Sequence, residues 1–439
     1  MASPSSLRRA VGWSYTGAML WAAGNSLTSG MLVNYLALDL GATGLEVGWL
    51  YAAPALFGLL RLATPALSRG LGGSKRTCLA TSLGAYLLSA LLPAAVVRRP
   101  TFGLGLSPAW LLVAMVCLHQ LLEQFGTVAL FTWLGELIPP RLRGPYFARR
   151  NLLQLAVTIV ALPAGGYLTD HFGGRDPATV VRAYAVVIGG GAALLLVSLA
   201  PLMRMPARVR GIRRGNSTAG DDPPSSTAPL WRDLVEPWTR RDARRLLIYG
   251  LWFSFFNGLT AVAKNVYPKN VLKLSLVDVQ WMQTTMRVGQ MGVGLWAGAE
   301  GTRSGFRRVL LVCQVLVGAG PLFYLMASPE RPYVAYGAWL CWSAYAGINL
   351  ALPILSMQFA SAGRHGPNLA AYYAWTSLAN MLGNVGGGYL FDRLAGWTFA
   401  LGPWSGDRYQ AAFLLAAATR TAGVVWIARL DASRSSGRE

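Results

Sequence analysis

The sequence predicts an all-α integral membrane protein whose twelve transmembrane helices form two pseudo-symmetric six-helix bundles. Three observations carry that prediction. The 439 residues are 54% hydrophobic and only 13% charged, with a mean hydropathy of +0.39, whereas about a quarter of an ordinary globular chain is charged. Twelve apolar runs reach the ~20 residues that a helix needs to cross the hydrocarbon core of a bilayer. The two halves of the chain also echo each other in sequence.

The runs fall at roughly 13–37, 44–66, 76–97, 108–135, 149–170, 182–202, 246–267, 279–299, 307–327, 332–358, 369–391 and 409–428. The first follows Arg8-Arg9 and extends from Val11 to about Leu38. It is too long for the apolar core of an export signal and carries Trp, Tyr and Asn, so it reads as a retained span. Runs two to six follow with short connections. The one long connection, 203–245, is basic at both ends and contains NSTAGDDPPSSTAP, a polar stretch with no apolar period. It separates an N-terminal six-helix half, 1–202, from a C-terminal one, 246–439.

The echo between the halves is specific. A shift of 222 places Gly144-Pro145 on Gly366-Pro367 and Gly165-Gly166-Tyr167-Leu168-x-Asp170 on Gly387-Gly388-Tyr389-Leu390-x-Asp392. A shift of 232 places Asn25-x-Leu27-Thr28 on Asn257-x-Leu259-Thr260, Glu46-Val47-x-Trp49 on Asp278-Val279-x-Trp281, and Lys75-Arg76 on Arg307-Arg308. The ten extra residues of the first half fit the Val97–Pro108 connection. With six spans in each half the copies sit the same way up, a parallel repeat about an axis along the membrane normal.

The charge sets orientation rather than a nucleic-acid face. The net +21 comes from clusters between apolar runs. With the N-terminus inside, 26 Lys and Arg fall on the cytoplasmic side and 10 on the other, with three arginines inside runs. The positive-inside rule therefore places both termini in the cytoplasm of a multi-pass cell-membrane protein. Cys78, Cys117, Cys313 and Cys341 all lie in apolar runs, at spacings of neither a disulfide framework nor a zinc site. No phosphate-binding glycine loop occurs and none of the three histidines has ligand spacing, so no nucleotide, metal or other cofactor is expected.

Ionisable and amide side chains inside the runs point to function, because each is costly in a bilayer. In the fourth run His119 and Glu123, and Gln120 and Gln124, are four apart and form one polar face. In the eighth, Gln283, Arg287 and Gln290 share a face. Arg287 keeps its proton and requires an anion, either Glu123 or an acidic substrate. Asn25 and Thr28 in the first run repeat as Asn257 and Thr260 in the seventh, Tyr345 and Asn349 are four apart in the tenth, and Asn380 and Asn384 lie deep in the eleventh. Arg61, near a cytoplasmic end, can snorkel.

Two loop motifs extend these observations. The second-to-third connection, ALSRGLGGSKRTCL, is similar to a G-x-x-x-D-R-x-G-R-K pattern through Gly72, Lys75 and Arg76, with Arg69 in place of the Asp and Gly70 in place of the Arg. The second copy keeps Gly305, Arg307 and Arg308. The fourth-to-fifth connection, Glu136 to Gly144, matches E-x-x-P-x-x-x-R-G. With the 6 + 6 pattern and the basic central loop, these resemble the major facilitator superfamily of permeases over essentially the whole chain. The resemblance implies that helices one, four, seven and ten line a central cavity and that Lys75, Arg76, Glu136, Arg143, Gly144, Arg307 and Arg308 latch the cytoplasmic side. It also implies that the twelfth helix, with Arg420, is peripheral. Leu162-Pro163-Ala164-Gly165-Gly166 falls one residue short of the family's antiporter stretch.

The expected function is a secondary active transporter, not an enzyme, that moves a small and polar solute by alternating access. Protons or another coupling ion would be held at Glu123 or Arg287, with Asp39 or Glu46 at the outer rim. The chain is expected to be a monomer in the lipid bilayer with no nucleic-acid partner. A drug or lipophile efflux permease of the same fold, an integral membrane enzyme, and a transport-dead receptor or assembly factor are the alternatives.

Overall fold

The computed structural model describes residues 4–28, 30–98, 107–174, 176–207, 230–360, 365–401 and 404–430. The polar stretch NSTAGDDPPSSTAP and most of the Val97–Pro108 connection lie outside them. All twelve predicted runs are helical. The first is α1 (Pro4–Thr28) and α2 (Met31–Asp39), and the second is α3 (Gly44–Gly58), a 3-10 turn (Leu59–Ala63) and α4 (Thr64–Gly70). The third to sixth are α5 (Ser74–Arg98), α6 (Pro108–Leu137), α7 (Pro140–Phe172) and α8 (Pro177–Arg204). After α9 (Leu230–Thr239), the seventh is α10 (Arg241–Leu259) with α11 (Ala261–Asn270), the eighth α12 (Leu276–Ser304) and the ninth α13 (Phe306–Met326). The tenth is a 3-10 turn (Pro332–Val334), α14 (Ala335–Trp342) and α15 (Tyr345–Gln358), the eleventh α16 (His365–Arg393) and the twelfth α17 (Arg408–Ala428).

Eight of these stretches are long and apolar enough to cross a membrane by composition alone. The second run falls short because α3 ends at Gly58, and the eighth because α12 carries Gln280, Gln283, Arg287 and Gln290. Two elements were not anticipated. Helix α9 lies in the stretch read as linker and docks on α16, where Trp375 Nε1 donates to Leu234 O at 3.0 Å and Trp238 meets Trp375 edge-on. Strands β1 (Thr398–Leu401) and β2 (Trp404–Asp407) form an antiparallel hairpin between α16 and α17, with Thr398 opposite Asp407.

The chain divides into two compact units. One holds residues 1–40 and 57–228, the other 41–56 and 229–439. In the first, α1 packs chiefly on α8; in the second, α10 packs chiefly on α16.

The repeat seen in sequence has a local cause at the start of the second and eighth runs. Ser275 and Asp278 form a capping box on α12, closing two main-chain donors that a helix start leaves open. Thr43 and Glu46 do the same for α3: Glu46 Oε2 accepts from Thr43 N at 2.7 Å and from its hydroxyl at 3.0 Å. Glu46 is buried in this cap. A carboxylate from elsewhere adds to the start of α3. Asp392, at the end of α16, accepts from Gly44 N at 2.6 Å and Leu45 N at 2.8 Å.

Glycine sets the spacing of α10 and α16. A Cβ at Gly383 would lie 2.2 Å from Phe255 O, and one at Gly387 2.3 Å from Leu259 O. Small residues of this kind let helix backbones approach in the membrane. Replacing Gly383 by Val is expected to force the two helices apart at a cost of about 1–3 kcal/mol, read as a lower melting temperature of the detergent-solubilised protein. An unchanged melting curve would contradict the close packing.

Candidate functional site

Two spans of the second unit are interrupted, one about two-thirds of the way along and the other near its midpoint. Helix α10 stops at Leu259 and α11 starts at Ala261, with Thr260 between them at φ −98° and ψ 0°. Helix α14 stops at Trp342 and α15 starts at Tyr345. Main-chain bonding continues across both points, with Lys264 N donating to Thr260 O at 3.2 Å and Ile348 N to Ala344 O at 3.3 Å, and side chains add to it. Thr260 Oγ1 donates to Phe256 O at 2.9 Å, and Ser343 Oγ donates to Met286 O of α12 at 3.2 Å.

The breaks gather one polar cluster. Asn257 Oδ1 accepts from Tyr345 OH at 2.9 Å and from Arg420 Nη2 of α17 at 2.9 Å. The Arg420 guanidinium carbon lies 5.9 Å from the centroid of the Trp342 ring, and Lys264 Nζ of α11 lies 5.0 Å from the same ring. Arg420 is 2% exposed, and its Nε and Nη1 have no hydrogen-bond partner. Its backbone is held by wholly buried Gln314 of α13, whose amide donates to Arg420 O at 2.6 Å while its oxygen accepts from Tyr249 OH at 2.6 Å. Trp252 Nε1 donates to the neighbouring Thr419 O at 2.9 Å.

Two cations against one indole make a costly arrangement. Removing an ion from water costs several kcal/mol even after relaxation, and arginine keeps its charge. The indole face offsets about 0.5–2 kcal/mol for each. Six acids described in this unit are engaged elsewhere: Glu46, Asp278 and Asp407 in caps, Asp392 on the start of α3, Glu300 with Arg308, and Asp242 with Arg245.

In the first unit the polar face of α6 is split. His119 Nε2 is 3.3 Å from Glu123 Oε2, while its Nδ1 lies 2.9 Å from Ala85 O and 3.0 Å from Ser89 Oγ of α5. A carbonyl can only accept, so Nδ1 carries a hydrogen. The contact between Nε2 and the carboxylate then needs a second proton, from either partner. Gln124 turns to another neighbour and accepts from Arg61 Nε at 2.6 Å.

The sequence profile of the Major Facilitator Superfamily matches residues 15–277, more than half of the chain. The chain belongs to the Major Facilitator Superfamily. Its fold is shared with solved transporters along nearly its whole length. It is similar to the nucleoside transporter NupG, at 11% identity over 97% of this chain and 98% of that one, with a TM-score of 0.64. A D-xylose–proton symporter gives 14%, 97%, 98% and 0.68, and a bacterial homologue of the iron transporter ferroportin in an inward-facing state gives 15%, 97%, 99% and 0.66. At such identities the likeness is one of fold. No curated protein sequence matches the chain.

Within this superfamily fold, the residues singled out in the sequence separate into groups. Asn257 and Tyr345 meet directly. Thr28, like Thr260, returns its hydroxyl to the carbonyl four residues back, Gly24 O, at 3.0 Å; Asn25 lies one turn earlier on α1. Asn384 Nδ2 donates to Asn380 O and Oδ1 at 2.8 and 2.9 Å, and Asn380 Nδ2 donates to Ser254 O at 3.2 Å. Arg287 is exposed and donates to Gln290 Oε1 at 3.2 Å, with Gln283 half-buried on the same helix. Asn349 is exposed.

Several loop residues bind helix ends. Lys75 Nζ donates to Met203 O and Met205 O, at 2.9 and 2.6 Å, on the last turn of α8. Its mate Arg307 donates to Ala428 O at 2.5 Å, at the end of α17. Each cation meets the negative end of a helix dipole. Arg143 donates to Gly135 O and Ile138 O at the end of α6, whereas Glu136, Gly144 and Arg76 are exposed and Arg308 pairs with Glu300 at 3.1 Å.

Arg420 corrects an expectation. Far from being peripheral, it points into the interior of its unit. Lys264, near the end of the seventh run, was not singled out in the sequence. It stands seven residues after Asn257 in AVAKNVY, on the same helical face, and that spacing was the available signal.

Proposed function

We propose that the protein is a secondary active transporter that carries a small, polar solute across the cell membrane by alternating access, with both termini cytoplasmic. The observation that carries this reading is the pair of helix interruptions at Thr260 and Ser343-Ala344, with Asn257 and Tyr345 joined beside them. Discontinuous helices near the midplane are where secondary transporters bind solutes and coupling ions. A polar cargo is supported by the amide, hydroxyl and cationic side chains of the cluster. Solved relatives are named for nucleosides, for xylose with protons, and for iron, all polar cargoes. In this reading Asn25, Thr28, Gln124, Asn257, Thr260, Gln283, Gln290, Tyr345, Asn349, Asn380 and Asn384 serve the solute path. Lys75, Arg76, Glu136, Arg143, Gly144, Arg307 and Arg308 serve the cytoplasmic gate, and the chain works as a monomer.

Coupling is assigned to a proton held between His119 and Glu123, with Arg287 as the second charged group of the path. The geometry supports this, since their 3.3 Å contact requires a proton from one of the two. The test is uptake by reconstituted vesicles under an imposed pH gradient. Wild-type uptake is expected to follow the gradient, and uptake by Glu123→Gln is expected to be indifferent to it. Gradient-driven uptake that persisted in Glu123→Gln would remove Glu123 from the coupling path.

A further inference from the structure

We propose that Lys264 and Arg420 form an anion-binding subsite, so that the solute carries an anionic oxygen group, a carboxylate or a phosphate. The inference rests on the transport reading above and names the substrate class for it. Both cations lie against the Trp342 ring, at 5.0 Å for Lys264 Nζ and 5.9 Å for the Arg420 guanidinium carbon. Both belong to membrane-crossing stretches, 241–270 and 408–428, and Arg420 is the thirteenth of the 21 residues in its helix. Burial is nearly complete at Arg420, which is 2% exposed, whereas Lys264 is partly exposed and gives the approach.

The donors of Arg420 are unevenly used. Nη2 is spent on Asn257, which also ties down Tyr345, while Nε and Nη1 are buried without a hydrogen-bond partner. Buried polar atoms in folded proteins nearly always find partners, so two idle guanidinium donors call for a ligand that accepts. Among the described residues no carboxylate pairs with Arg420, and six acids of this unit cap helices or pair with basic residues at helix ends. A carboxylate or phosphate accepts charge-assisted hydrogen bonds from both cation types, and it would neutralise two like charges at once. Trp342 adds an apolar face beside the charged end, which suits an organic anion with a ring or short carbon body. Gln314 and Trp252 hold the α17 backbone beneath the guanidinium, so the cation is positioned before any ligand arrives.

The experiment measures binding to purified full-length protein in detergent through the rise in melting temperature that a ligand of the folded state produces. The probes are matched pairs, benzoate against benzamide and phenyl phosphate against phenol. At least one anion is expected to stabilise wild-type protein while its neutral partner does not, and the pair that responds distinguishes carboxylate from phosphate. Lys264→Met is expected to weaken that anion about tenfold and Arg420→Gln by at least as much, the size expected for losing one charged hydrogen bond. Lys264→Met keeps the test decisive if Arg420→Gln does not fold. Equal response to both members of each pair, no response to either anion, or unchanged anion affinity in folded Lys264→Met each overturns the proposal. Counterflow of a neutral solute by the same vesicles would leave the transport reading standing while the anion site fell. Charge-selective binding without counterflow would do the reverse.

Discussion

Amide hydrogen exchange at Gly44 and Leu45 is expected to accelerate roughly 100-fold in Asp392→Ala. Both amides donate to the Asp392 carboxylate, at 2.6 and 2.8 Å, at the first turn of α3. Hydrogen bonds to charged groups contribute about 1.5–3 kcal/mol each, and a negative charge at a helix start adds about 0.3–1 kcal/mol through the dipole. Part of that total is recovered by water, and about 3 kcal/mol remains as the local opening energy lost. Asp392→Asn keeps an acceptor but loses the charge, so its exchange is expected to fall between the two. Equal exchange in wild type and Asp392→Ala would show that the carboxylate does not hold α3. The effect bears on transport because α3 begins in the second compact unit and ends in the first.

The second large effect is expected at Gln314. Its side chain is wholly buried, and both of its polar ends are used, on Tyr249 OH and Arg420 O. Gln314→Met conserves volume and removes both bonds. The Tyr249 hydroxyl, itself wholly buried, and the α17 carbonyl are then left unpaired at about 1–3 kcal/mol each. At roughly 2–4 °C per kcal/mol for a unit of this size, the melting temperature is expected to fall by about 5–15 °C. Adding Tyr249→Phe removes one orphan, so the double variant should be more stable than the sum of the single losses predicts. A drop within about 1 °C would mean that the bridge adds little.

The twelve spans were legible because the bilayer demands long apolar stretches whatever else the sequence does. The repeat was legible too, and the structure explains one of its strongest points. Glu46 and Asp278 recur because each closes a capping box, a role that sequence alone left open. The interruptions at Thr260 and at Ser343-Ala344 were not legible. No proline marks either position, and the side-chain bonds that gather there, to α12, α15 and α17, are tertiary and leave no local sequence signal. Helix α9 was hidden for a different reason: ten residues, LWRDLVEPWT, are too short and too charged to stand out beside a polar linker. Arg420 was seen but misplaced, because family resemblance predicted a peripheral helix where this chain turns a charge inward.

The helix-end clasp occurs twice and the cation pair once. Lys75 on the end of α8 and Arg307 on the end of α17 do the same job in the two halves. The paired cations have no counterpart in the first half. Helix α2 contains no basic residue, and α8 has them only near its ends, at Arg182 and Arg204. Asn25 and Asn257 are shared, yet Arg420 joins only the second. The two halves thus share the frame and the asparagine, while the charged chemistry belongs to one of them alone.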